Sequence, residues 1–169
     1  LPISIGILYD CLYLYYQIVF QQIPFLNMYK EYLPCHILAP YVDRYWEFKG
    51  QTEQGMQIKL STDGCTDFMF ILESTVNYGI IMQPYHSYFI GPMDIGSALI
   101  TSSSTINTFG VRFRPCGLSR FMKTSLSELT NIRLSVNDLD TIFSDSFAER
   151  LFEEQGIQGK INLIERYLK

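Results

Sequence analysis

Arg112 and Arg114 stand two residues apart in Phe-Gly-Val-Arg-Phe-Arg-Pro-Cys-Gly, residues 109–117. A guanidinium fork grips a carboxylate or phosphate through paired N–H donors, or pairs with an acid of its own chain. Asp63 and Asp67 are the acids suited to that second role, so all four residues are candidates either for ligand binding or for pinning strands together. Asp63 has a third use beside Gly64, where a short acidic side chain orders a turn. Trp46, the single tryptophan, stands with Tyr45 and Phe48 as a pocket-lining candidate whose alternative is plain core.

Nothing comparable points to bond-making. A metal needs at least three good ligands, and the chain has two histidines, His36 and His86, far apart in sequence. Cys65 and Cys116 have no histidine near them in sequence to raise their nucleophilicity. Gly110 and Gly117 fit no phosphate-cradling pattern. The sequence predicts no catalytic residues, no metal and no cofactor.

The elements that must carry these residues read as strands. Phe109, Val111 and Phe113 alternate with Gly110, Arg112 and Arg114, which places the apolar groups on one face and the arginines on the other. Met56, Ile58 and Leu60 alternate with polar residues, and Phe68–Leu72 is apolar throughout, as in a strand covered on both faces. Ile80–Met82, Tyr88–Ile90 and Ala98–Thr101 follow at short intervals, separated by Gly, Pro, Asn and Ser. Phe and Tyr, twelve of each, add to the strand preference. An antiparallel barrel or jelly roll satisfies this pattern.

After Cys116 the period moves toward that of a helix. Ser119–Lys123 reads as a short helix, and Ser125 with Glu128 as a capping box. Ile132, Leu134 and Val136 alternate briefly. Asn137 or Asp138 is the expected cap of a helix bearing Leu139, Ile142, Phe143, Phe147 and Leu151, with Gly156 and Gly159 as breaks. Ile157, Ile161, Ile164 and Leu168 then form a seam suited either to a dimer partner or to the flank of the chain's own barrel.

The net charge is −4 and the 13 basic residues are scattered, so this chain presents no nucleic-acid surface of its own. Cys11, Cys35, Cys65 and Cys116 are too few and too widely spaced for a disulfide scaffold, and reduced, mostly buried thiols in a cytoplasmic protein are expected. Residues 1–27 carry one charge, Asp10, in an apolar leader interrupted by Gln17, Gln21, Gln22 and Pro24. We read that leader as lying outside the native domain, or packed on it as an extra helix, and not as a membrane span. Residues 28–116 form the expected β-barrel domain and 117–169 a helical subdomain.

The set Ala39-Pro40-Tyr41-Val42, Tyr45-Trp46, Thr62-Asp63-Gly64-Cys65, Asp67, Phe70, Phe89-Ile90-Gly91 and Gly110–Gly117 occurs in one order. It resembles the N-terminal sensor domain of a branch of AraC-type bacterial transcription regulators, over residues 29–169. Leu126, Glu128, Leu129 and Glu149-Arg150-Leu151 fit the same branch. Ser61-Thr62 replaces a usual proline, and Cys116 replaces a usual glycine. The resemblance implies a cupin-like barrel followed by helices, a small-molecule effector suited in anionic form to Arg112 and Arg114, and a homodimer. It implies DNA contact only through a helix-turn-helix domain beyond Lys169. Two other readings stay open: a small cupin-type enzyme, and a stand-alone small-molecule-binding module.

Overall fold

A computed structural model describes residues 28–60, 64–123, 125–138 and 142–169. Among them run ten strands: β1 Tyr29–Tyr32, β2 Val42–Gln51, β3 Gln57–Leu60, β4 Thr66–Glu73, β5 Val76–Asn77, β6 Ile81–Met82, β7 Ser87–Ile90, β8 Ser97–Thr101, β9 Thr105–Phe113 and β10 Arg133–Ser135. They pair antiparallel in two sheets, one ordered β1-β2-β9-β4-β7-β10 and the other β3-β8-β5-β6.

The apolar run in β4 explains the layering. Phe68 and Phe70 point to one face of the large sheet and pack with Phe109, Val111 and Phe113 of β9 against the C-terminal segments. Met69 and Ile71 point to the other face and join Trp46, Phe48, Tyr88 and Ile90 in a second core shared with the small sheet. Each fully buried aromatic or aliphatic side chain contributes about 1.5–3 kcal/mol, so two cores back to back hold a strand that is apolar throughout. The result is three layers: helices, large sheet, small sheet.

The expectation of a closed barrel is corrected: the sheets remain separate, with β1 and β10 at the edges of one and β3 and β6 at the edges of the other. Closure requires ladder hydrogen bonds all the way round, and β5 and β6, two residues each, pair only within the small sheet. The chain is mainly β, with two helices at its end.

The C-terminal segments differ from the sequence reading. Gly117–Arg120, Leu126–Leu129 and Val136–Asp138 are 3-10 turns. The capping box does not form, because the Ser125 hydroxyl meets Ser127 Oγ at 2.8 Å while its backbone carbonyl accepts from Glu128 N–H. Among the described residues the first α-helix, α1 Asp145–Glu153, starts later than expected and is capped by Ser144, whose Oγ accepts from Phe147 N–H at 3.3 Å. Leu139 lies outside the described residues. Gly156 opens α2, Gly156–Leu168, and Gly159 lies within it and does not break it. The buried Lys160 ammonium donates to the Leu151 and Glu154 carbonyls at the end of α1, and burial lowers its pKa.

Ile161, Ile164 and Leu168 are buried in the same core as Phe109 and Phe113, with half-buried Ile157 packed against them. The seam thus packs within the chain's own core. The segment from residue 117 also supplies β10, which pairs with β7, so its core is continuous with that of the sheet. Of the thiols, Cys35 and Cys65 are half-buried and Cys116 is exposed, which corrects the expectation of mostly buried cysteines. Cys11 and the leader, residues 1–27, lie outside the described residues. Among the described residues, no helix is long and apolar enough to cross a membrane.

Candidate functional site

Strand alternation turns Trp46 of β2 toward the small sheet, directly opposite Gly110 of β9. The indole lies flat over that glycine: a Cβ there would stand 2.2 Å from the ring carbons, and only glycine leaves the room. The ring thereby reaches across β9 to β4, where its N–H donates to Asp67 Oδ1 at 2.7 Å. Arg112 of β9 is in register with Asp67 and donates through Nε to both carboxylate oxygens, at 3.2 and 3.3 Å. Side-chain exposures of 21% and 13% put this pair at the rim of the inter-sheet core.

Tyr29 of β1 stacks on Trp46 with ring centroids 6.4 Å apart, and its hydroxyl donates to Glu31 at 2.9 Å. Burial holds the Tyr29 pKa well above the usual phenol value, with the Arg112 charge pulling the other way. Arg44, beside Arg112 on β2, is held by Asp43 Oδ2 at 2.7 Å and by Glu31. Together these residues make an aromatic wall ending in a chain of ion pairs.

Of the residues singled out in the sequence, Trp46, Asp67 and Arg112 come together. Arg114 does not join them: it lies past the end of β9 and is 46% exposed. It pairs with Asp43 at 3.4 Å and donates to the Ala39 carbonyl at 2.8 Å, away from Asp67. The Arg114 N–H donates to the Tyr41 carbonyl at 2.9 Å, which holds the residue beside the start of β2. Asp63 lies outside the described residues.

Sequence reasoning missed Arg133. Register places it in the row Arg44, Arg112, Asp67, Ile90, Arg133, which crosses the large sheet from β2 to β10. Its guanidinium carbon lies 4.3 Å from the centre of the Tyr78 ring, and Nη2 donates to Met93 Sδ at 3.1 Å. The only local signal was its place between Ile132 and Leu134. Glu31, Asp43 and Arg44 were missed for the same reason, since pairing across strands is not written in spacing along one.

His86 Nδ1–H donates to the Pro84 carbonyl at 2.9 Å. It borders a cleft of about 190 Å³ between β7 and α1, with Ser87, Glu149 and Phe152 also in its wall. Among the described residues, no three histidine, cysteine or acidic side chains come together as metal ligands.

A family profile described as "Domain of unknown function (DUF6597)" matches residues 30–135. That span runs from the second residue of β1 through β10 and includes the whole arginine row. No curated protein and no solved structure matches the chain.

Proposed function

The chain belongs to the family of the domain of unknown function DUF6597; for a member of it, we propose, on the sequence resemblance and the layering of the sheets, the role of ligand-sensing domain of an AraC-type transcription regulator. In this reading it is not an enzyme. The finer fold assignment, a cupin-like jelly roll, belongs to the same reading.

One arrangement supports it above the others. β2, β9 and β4 carry Trp46, Arg112 and Asp67 on the face toward the small sheet, and Phe109, Val111, Phe113 and Phe68 on the face toward α1 and α2. A displacement at the charged rim is therefore one strand thickness from the helical layer. An effector that binds one packing of strands on helices more tightly than another shifts the population toward it. A helix-turn-helix domain following Lys169 reads that shift on DNA. The homodimer of this reading uses a surface other than the Ile161–Leu168 seam, which the chain itself covers.

A thermal-shift screen of small metabolites against the full chain tests the proposal. A ligand present at a hundredfold its Kd stabilises the folded state by about 2.7 kcal/mol, a clear rise in Tm. The reading frame past Lys169 is expected to encode the paired helix-turn-helix. A stop codon there, together with no stabilising metabolite, overturns the reading.

A further inference from the structure

Three hydrogen-bond donors from separate parts of the chain converge on one thioether sulfur. Arg133 Nη2 of β10 donates to Met93 Sδ at 3.1 Å, Tyr78 Oη at 3.2 Å, and Ser97 Oγ at the start of β8 at 3.8 Å. A thioether is a weak acceptor, whereas a guanidinium and a phenol hydroxyl make their strong bonds to anionic oxygen. The mismatch extends to the rest of Arg133. Its Nε is buried with no hydrogen-bond partner among the described residues, and no carboxylate there pairs with it. Arg112, in the same row of the sheet, has Asp67.

Met93 is placed to leave. Its neighbours are anchored on Asn131, which donates its backbone N–H to the Pro92 carbonyl at 2.8 Å and accepts from Asp94 N–H at 3.2 Å. The Met93 side chain, unbranched and with three free torsions, can rotate out while the loop stays fixed. What it uncovers is one guanidinium and two hydroxyls beside the apolar Ile90 and Leu99 of the inter-sheet core.

We propose that Arg133, Tyr78 and Ser97 form a carboxylate-binding site at the mouth between the two sheets, which Met93 fills when no ligand is bound. The proposal rests on the sensor reading above for its purpose, and names the effector's chemical class: a small monocarboxylic acid with an apolar body. A single guanidinium matches a single negative charge. A phosphate dianion would keep an uncompensated charge in a half-buried place.

Calorimetric titration of the full chain with benzoate tests it, with phosphate and chloride at matched ionic strength as comparisons. Benzoate is expected to bind saturably and the inorganic anions not. Arg133→Gln should weaken benzoate about tenfold or more, the loss of one charge-assisted bond pair. Met93→Leu keeps the volume but removes the acceptor that competes with ligand, and should tighten benzoate severalfold. Were Arg133→Gln to misfold, Arg133→Lys keeps the charge without the fork and is expected to lose about tenfold as well.

Benzoate bound equally by the Arg133 variants overturns the site, as does benzoate ignored by both wild type and Met93→Leu, or phosphate bound as tightly as benzoate. A stabilising metabolite that lacks a carboxylate and binds Arg133→Gln unchanged removes this site and leaves the sensor reading standing. Arg133-dependent benzoate binding in a protein whose reading frame ends at Lys169 does the reverse.

Discussion

The indole N–H of Trp46 on β2 and the carboxylate of Asp67 on β4 meet at 2.7 Å across an intervening strand. They can do so because Gly110 of β9 has no side chain to separate them. A single hydrogen bond thus ties three strands, and the same carboxylate holds Arg112.

Gly110→Ala puts a methyl group into the indole, against ring carbons that belong to a packed core. Overpacking of this kind costs about 1–3 kcal/mol. Trp46 is the only tryptophan, so its fluorescence reports the displacement directly. We expect a lower urea midpoint with unchanged slope, and a red-shifted native emission as the ring moves toward water. An unshifted emission at full stability would mean that the indole has slack which the geometry denies.

Asp67→Asn keeps an acceptor for the indole but removes the charge facing Arg112. A guanidinium at the rim of a core that loses its carboxylate pays in desolvation, and the expected loss is about 1–3 kcal/mol. Double-mutant cycles with Arg112→Met decide whether the pair or its surroundings carry the effect. Coupling is expected to be clearly non-zero, and additive losses would place the cost elsewhere.

Much of this site was legible in advance. The alternation Phe109, Val111, Phe113 against Gly110 and Arg112 gave the strand, its apolar face and the arginine's side of the sheet, because a period of two leaves no other arrangement. The continuous run Phe68–Ile71 likewise announced a strand covered on both faces. The partners were not legible. Arg114 meets Asp43 and Arg133 meets Tyr78 through strand order and register, which pattern along one segment does not encode. Helix starts failed for a related reason. Asn137 and Asp138 have good cap chemistry, yet the chain uses Ser144 because Phe143 must first reach Phe68 and Phe70 in the core, with ring centroids 4.9 and 5.9 Å away.

Glu165 of α2 accepts from Cys35 N–H at 2.8 Å and so ties the β1–β2 connection to the last helix. Burial by itself would raise this carboxyl. The Cys35 N–H and the Lys169 ammonium, 3.5 Å away, outweigh it and hold the pKa below the usual range. A carboxyl of lowered pKa binds its proton less readily folded than unfolded. The stability it adds is complete above about pH 4.3, the ordinary glutamate value, and is lost as pH falls through the lower folded value. Glu165→Gln is expected to be less stable than wild type at pH 7 and to lose less on acidification. Parallel acid limbs in the two proteins, read by urea midpoints from pH 7 downward, would remove Glu165 from the account.

Cys116 sits at φ 62° and ψ −3°, in the left-handed region, at the turn where β9 gives way to the 3-10 segment. An L side chain there costs about 1–2 kcal/mol, which glycine avoids. The exposed thiol contributes little packing, and the turn is held by backbone: the Cys116 carbonyl accepts from Ser119 N–H and Oγ, at 3.2 and 2.6 Å. Glycine's greater freedom in the unfolded chain offsets part of the gain. Cys116→Gly is therefore expected to stabilise by about 0.5–1 kcal/mol, or about 1–4 °C in Tm for a chain of this size. Cys116→Ala removes the sulfur and keeps the strain, so it should gain nothing. Equal Tm values for the two variants would show that the left-handed turn carries no strain.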